Sequence, residues 1–184
     1  GSWGSGTIRF QTAQAATVHP LVHFTTDFGA VSSGTMQSFV PSGFSNVLAL
    51  LIVSCQTSTS TVTAMTLNGT SFTSLSTVAN AAIGNITLAY LANPTSGSCV
   101  VTLSAASRFF LSLILLENAS TASDASTQYL ASGTLSSVNV ANVQDGDLVL
   151  DFGILKSASI GSALYGIPNN TQSFYYASNY GTSP

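Results

Sequence analysis

Apolar and polar residues alternate along this chain in short segments separated by Gly, Ser, Asn, Asp and Pro. Segments rich in Val, Ile, Leu, Thr, Phe and Tyr follow one another almost throughout, which is a strand-and-turn pattern. No stretch sustains a 3.6-residue period with caps, and the strong helix formers Glu, Lys, Arg and Gln are scarce. In residues 147–155, Leu148, Leu150, Phe152 and Ile154 share one face, predicting a half-buried strand entered from a turn at Gly146. Residues 47–55 and 109–116 are apolar at both parities and predict central strands covered on both sides. Asn68-Gly69 is the strongest two-residue hairpin turn. Residues 56–61 and 118–127, low in complexity, read as loops. The expected fold is all-β: a two-sheet antiparallel β-sandwich, jelly-roll-like, with an extended N-terminal strand.

That N-terminal strand is centred on Thr7, Ile8, Arg9, Phe10, Gln11 and Thr12. Ile8 and Phe10 alternate with Arg9 and Gln11, between a Gly/Ser-rich start and an Ala-rich continuation. It has the character of a detachable strand, able to add to the sheet edge of another copy. The expected organisation is therefore an extension over residues 1–20, the candidate donor strand, and a single β-sandwich domain over residues 21–184. A chain of 184 residues is long enough to bury a core without metals or a dense disulfide scaffold.

Composition changes the picture most through what is missing. Three Lys+Arg and six Asp+Glu make the chain 5% charged, where an ordinary soluble domain is about a quarter charged. The net charge of -3 and the scattered positions of Arg9, Arg108 and Lys156 give no footprint for nucleic acid. Mean hydropathy is +0.41, yet no apolar run approaches the roughly 20 residues of a membrane-spanning helix. Ser, Thr, Asn and Gly take the place of the charges. A surface of this kind suits an extracellular protein, coated with sugar or covered by neighbouring copies of itself.

Several segments in succession carry a resemblance. Residues 46–54 (Asn-Val-Leu-Ala-Leu-Leu-Ile-Val-Ser) precede residues 62–70 (Val-Thr-Ala-Met-Thr-Leu-Asn-Gly-Thr) and 72–75. Residues 86–94 (Ile-Thr-Leu-Ala-Tyr-Leu-Ala-Asn-Pro), 97–103 and 145–151 (Asp-Gly-Asp-Leu-Val-Leu-Asp) follow. This order resembles a β-sandwich module recurrent in bacterial, archaeal and viral surface proteins. Its strands begin Asn-Arg-Leu-Leu, pass through a Val-Thr-x-Val-Thr-Tyr-Gly-Gly hairpin, and continue to Leu-Trp-Tyr-Leu-x-x-Pro and Gly-Asp-Leu-Val. The likeness covers roughly residues 30–160. Val47 stands in place of the usual Arg and Ala89 in place of the Trp. The resemblance implies an extracellular, non-catalytic building block and names no ligand.

Catalytic chemistry finds little footing. There is no metalloprotease helix motif, nucleophile elbow or phosphate loop, and no cofactor is expected. Asp145, Asp147 and Asp151 form the one acidic cluster, read as a turn followed by an outward carboxylate. Their other use would be in a calcium site, but Ca²⁺ takes six to eight oxygens and three carboxylates fall short. His19 and His23 are four apart but separated by Pro20, which argues against a helix. In an extended strand they share a face, as surface or interface histidines rather than metal ligands.

Three further sets of residues are candidates for modification or contact. Cys55 and Cys99, the only cysteines, are expected to bridge, closing a loop of about 45 residues worth roughly 4 kcal/mol. The alternative is two buried free thiols. Sequons begin at Asn68, Asn85, Asn118 and Asn169, as glycan acceptors or as ordinary turn residues. Trp3, Tyr165, Tyr175, Tyr176 and Tyr180 suit interface anchoring or sugar stacking, interface use being favoured.

The expected function is that of a structural, non-enzymatic subunit of an extracellular, pilus-like filament. Copies of the chain are its partners, joined by donation of the N-terminal strand, which repeats without closing. Glycans are further candidate partners. The alternatives are a glycan-binding or adhesive surface module, and a viral coat or decoration protein.

Overall fold

The computed structural model describes residues 2–12, 18–81, 84–129 and 148–156. Among these there is no helix. Ten strands run in chain order: β1 (Ser2–Thr12), β2 (His19–Ser38), β3 (Leu48–Cys55), β4 (Val62–Leu67) and β5 (Thr70–Ser71), then β6 (Thr73–Asn80), β7 (Gly84–Ala92), β8 (Gly97–Glu117), β9 (Ala119–Tyr129) and β10 (Leu148–Lys156). Every pairing is antiparallel.

Seven strands form one sheet in the order β5-β4-β8-β3-β7-β6, with β2 on the other side of β8. The long strand β8 organises it by changing neighbours along its length. Its C-terminal half pairs with β3 (Cys55 opposite Phe109, Leu48 opposite Leu116), and its N-terminal half pairs with β4 (Leu67 opposite Cys99). β2 follows β8 along both halves, with register shifts around Val31, where the two strands bend. The antiparallel sheet is nearly closed. One core fills the enclosed space. Ala49, Leu51, Val53, Phe109, Leu111 and Leu113 come from one half, and Leu67, Val101, Leu103 and Met36 from the other.

β3 and residues 109–116 of β8 are buried at every position, as their unbroken apolar character predicts. The opposite face of these strands carries a second apolar layer of Leu48, Leu50, Ile52, Leu88, Phe110, Ile114 and Leu116, which Ala119 of β9 joins. A fully buried leucine contributes roughly 2 kcal/mol, so this outer face is core as much as the inner one. β9 belongs to a separate three-stranded sheet, in the order β10-β1-β9, and runs against β6 and β3. Of residues 118–127, expected to be loop, 119–127 are therefore strand. Pairing with β1 overrides what their Ser/Thr/Ala composition suggests, since β-propensity is weak against a partner strand.

Local turn chemistry fits the sequence. Asn68 (φ 48°) and Gly69 (φ 80°) form the two-residue turn that sets Leu67 opposite Thr70. Residues 56–61, between β3 and β4, are laced to the bend in β8. Gln56 N donates to Arg108 O at 2.9 Å, Ser104 N to Thr61 O at 2.8 Å, and Ser60 Oγ to Ala105 O at 2.6 Å. No helix among the described residues is long and apolar enough to cross a membrane.

Candidate functional site

β1 carries all the residues of the expected donor strand and is the middle strand of the small sheet. Against β10, Thr7 lies opposite Asp151, Ile8 opposite Leu150, Arg9 opposite Val149 and Phe10 opposite Leu148. Against β9, Thr7 lies opposite Ser126, Ile8 opposite Ala125, Arg9 opposite Asp124 and Phe10 opposite Ser123. After a shift past Gln11, Thr12 meets Ala119. Trp3 also belongs to β1, opposite Leu155. A middle strand satisfies the backbone groups of both neighbours. Taking β1 away would leave β9 and β10 about 10 Å apart, two strand spacings, with facing unpaired edges. Both partners are remote in sequence, and β1 pairs with no strand of the seven-stranded sheet.

The sequons differ sharply in environment. Asn68 is exposed in its turn; its Nδ2 donates to Thr95 Oγ1 at 3.0 Å and its backbone N to Ser98 O at 3.0 Å. Asn85 is 1% exposed and its Nδ2 donates to two carbonyls, Thr57 O at 3.2 Å and Ser60 O. Asn118 (φ 58°) is half-buried at the junction of β8 and β9. Asn169 lies outside the described residues.

Cys55 and Cys99 are free thiols, both fully buried in the inner core, so the expected bridge is not formed. In the register Cys55 stands opposite Phe109 and Cys99 opposite Leu67, and both thiols lie in the same inner core. Burial pushes both thiols up to about 12.

The histidines do not share a face. A register shift between Pro20 and Val22 sets His19 opposite Glu117 and His23 opposite Ile114, three residues apart on β8. His19 Nε2 lies 3.2 Å from Glu117 Oε2. His23, half-buried, has Nε2 2.6 Å from Ser112 Oγ, and desolvation holds its pKa below the ordinary value. No cluster of three or more potential metal ligands occurs among the described residues. Asp151 lies in β10, while Asp145 and Asp147 fall outside the described residues.

Tyr165, Tyr175, Tyr176 and Tyr180 also lie outside the described residues. The sequence reading missed two aromatics that the structure exposes, Phe39 at 56% and Phe44 at 45%. Their signal was available: both stand in a Phe-Val-Pro-Ser-Gly-Phe segment whose Pro and Gly break the strand. Phe39 meets Phe24 edge to face, with ring centroids 5.3 Å apart. Two of the chain's nine charged groups pair with each other, Arg108 donating to Asp27 through Nη2 at 2.6 Å and Nε at 3.3 Å.

Comparison with known protein families, with characterised proteins and with solved structures finds no match to this chain.

Proposed function

We propose that the chain is a structural subunit of an extracellular, self-assembling filament in which β1 of one copy fills the slot between β9 and β10 of the next. In this reading the nearly closed sheet is a two-sheet, jelly-roll-like sandwich, and the three-stranded sheet is the joint between subunits. The observation that carries the reading is the position of β1: the middle strand of a small sheet, with no partner in the main one among the described residues. Exchanging it between copies keeps every backbone hydrogen bond of the sheet and requires only that the connecting residues 13–17 lead to a neighbour. Domain exchange of this kind needs little new interface. The scarcity of charge supports the same reading, because it weakens repulsion between like subunits.

Two variants test it. Deleting residues 1–13 should leave soluble or unstable monomers, and filaments like those of the intact chain from that truncation would refute strand donation. The double variant Ile8→Cys/Ala125→Cys puts thiols at directly opposed positions. Oxidised assembled material should then run as a ladder of covalent oligomers on a non-reducing gel. A single monomer band would mean that β1 stays in its own chain.

A further inference from the structure

We propose that Asn68 is an N-glycosylation site of this chain and that Asn85, despite an equally valid sequon, is not. The two asparagines differ in what their amide hydrogens do. An asparagine side chain has two N–H donors, and N-linkage replaces one of them with a bond to the sugar. Asn68 uses one hydrogen on Thr95 Oγ1 at 3.0 Å, and its side chain is exposed. One hydrogen is therefore open to replacement while the other keeps its bond. Asn85 uses its amide nitrogen on both Thr57 O and Ser60 O and is 1% exposed. A sugar there would remove one of these bonds and displace residues 56–61 from the β8 bend.

The surroundings of Asn68 also suit an acceptor. The turn projects beyond the end of β4, and Thr70, whose hydroxyl completes the sequon, is exposed as well. A glycan there would stand at the turn between β4 and β5, on the main sheet. The inference stands whether or not the chain forms filaments. A hydrated sugar would supply at this surface what 5% charged residues do not.

The chemistry is group transfer from a polyprenyl-phosphate-linked oligosaccharide. The bond between the sugar C1 and the phosphate oxygen breaks, the C1–Nδ2 bond forms, the amide loses one proton, and the lipid phosphate leaves as the anion.

Peptide mapping by mass spectrometry of the protein isolated from its native source tests the assignment. Glycopeptides should be fragmented with the sugar attached, because Asn-Gly sequences deamidate spontaneously and would mimic enzymatic release. The expected result is a hexose-containing mass on the peptide bearing Asn68 and the bare mass on the peptide bearing Asn85. An unmodified Asn68 peptide, or sugar on Asn85, overturns the proposal. In the native host, Thr70→Ala should remove one glycan mass while Thr70→Ser keeps it, and neither touches the Asn68-Gly69 turn. Retention of the full mass in Thr70→Ala overturns it equally.

Discussion

The side chain of Asn85, at the start of β7, donates its amide to the main-chain carbonyl of Ser60, tying the end of the β3–β7 pair to the loop between β3 and β4. With its second bond, to Thr57 O, it holds residues 56–61 where Ser60 Oγ and Thr57 Oγ1 reach Ala105 O and Ser107 Oγ. These contacts secure the bend at which β8 exchanges β3 for β4. Replacing Asn85 by Ala removes the donor and leaves buried carbonyls unpaired, at a cost of about 2 kcal/mol. The urea midpoint should fall accordingly without a large change in slope. Thr63→Ala, which removes an exposed side-chain bond to Thr102 O, should stay within about 0.5 kcal/mol of wild type. Equal effects from the two changes would show that the Asn85 network does not hold the bend.

Gly84 precedes Asn85 and fixes its approach. At φ +119° a Cβ on this residue would lie 2.0 Å from the carbonyl oxygen of Cys55, a backbone atom that cannot step aside. Gly84→Ala should cost about 3 kcal/mol or more, or prevent folding, combining strain with a main-chain clash. Gly43 also has a positive φ, +87°, but open space where its Cβ would be. Gly43→Ala should therefore cost only about 1 kcal/mol, from backbone conformation alone. Thermal unfolding of both variants checks the contrast, and similar losses would rule out the clash as its cause.

The contributions of sequence and fold can be separated in particular residues. Leu48 to Cys55 are apolar at both parities, and that pattern by itself requires cover on two faces; the structure supplies it with the inner core and the outer layer. Asn68-Gly69 declares its turn because few residues accept positive φ twice in succession. The long-range decisions were not legible. Residues 118–127 look like loop because nothing in their composition reveals that β1 will pair with most of them. His19 and His23 fall on opposite faces because of one extra residue near Leu21, and a bulge is visible only against the partner strand. Of the candidate site, the alternation of Ile8 and Phe10 was readable, whereas the middle position of β1 was set by strands more than a hundred residues away.

The cysteines give a direct chemical test of the buried core. The thiolate is the reactive form, and burial pushes both groups up to about 12. Neither Cys55 nor Cys99 should react with a disulfide reagent in the folded protein at pH 8, and both should react once the chain is unfolded in denaturant. Reducing agent should leave the melting temperature unchanged. A fall in melting temperature on reduction, with no thiols titrated in denaturant before it, would mean that the chain carries a bridge in place of the two free thiols.

Acid should weaken the fold through His23. Desolvation on the β2–β8 ladder holds its folded pKa below the ordinary value of about 6.5. Between the lowered value and about 6.5 the unfolded chain binds the proton more readily than the folded one, so stability rises with pH through that window. The contribution is fully present above about 6.5 and is lost as the pH falls toward the folded value. His19 and Glu117 face each other near the end of the same ladder, so the His23 effect must be isolated by substitution. The urea midpoint of the wild type should be lower at pH 5.5 than at pH 7.5. His23→Gln keeps a polar group near Ser112 Oγ but cannot take up the proton, and it should flatten that difference. An undiminished pH dependence in the variant would assign the acid sensitivity to other groups.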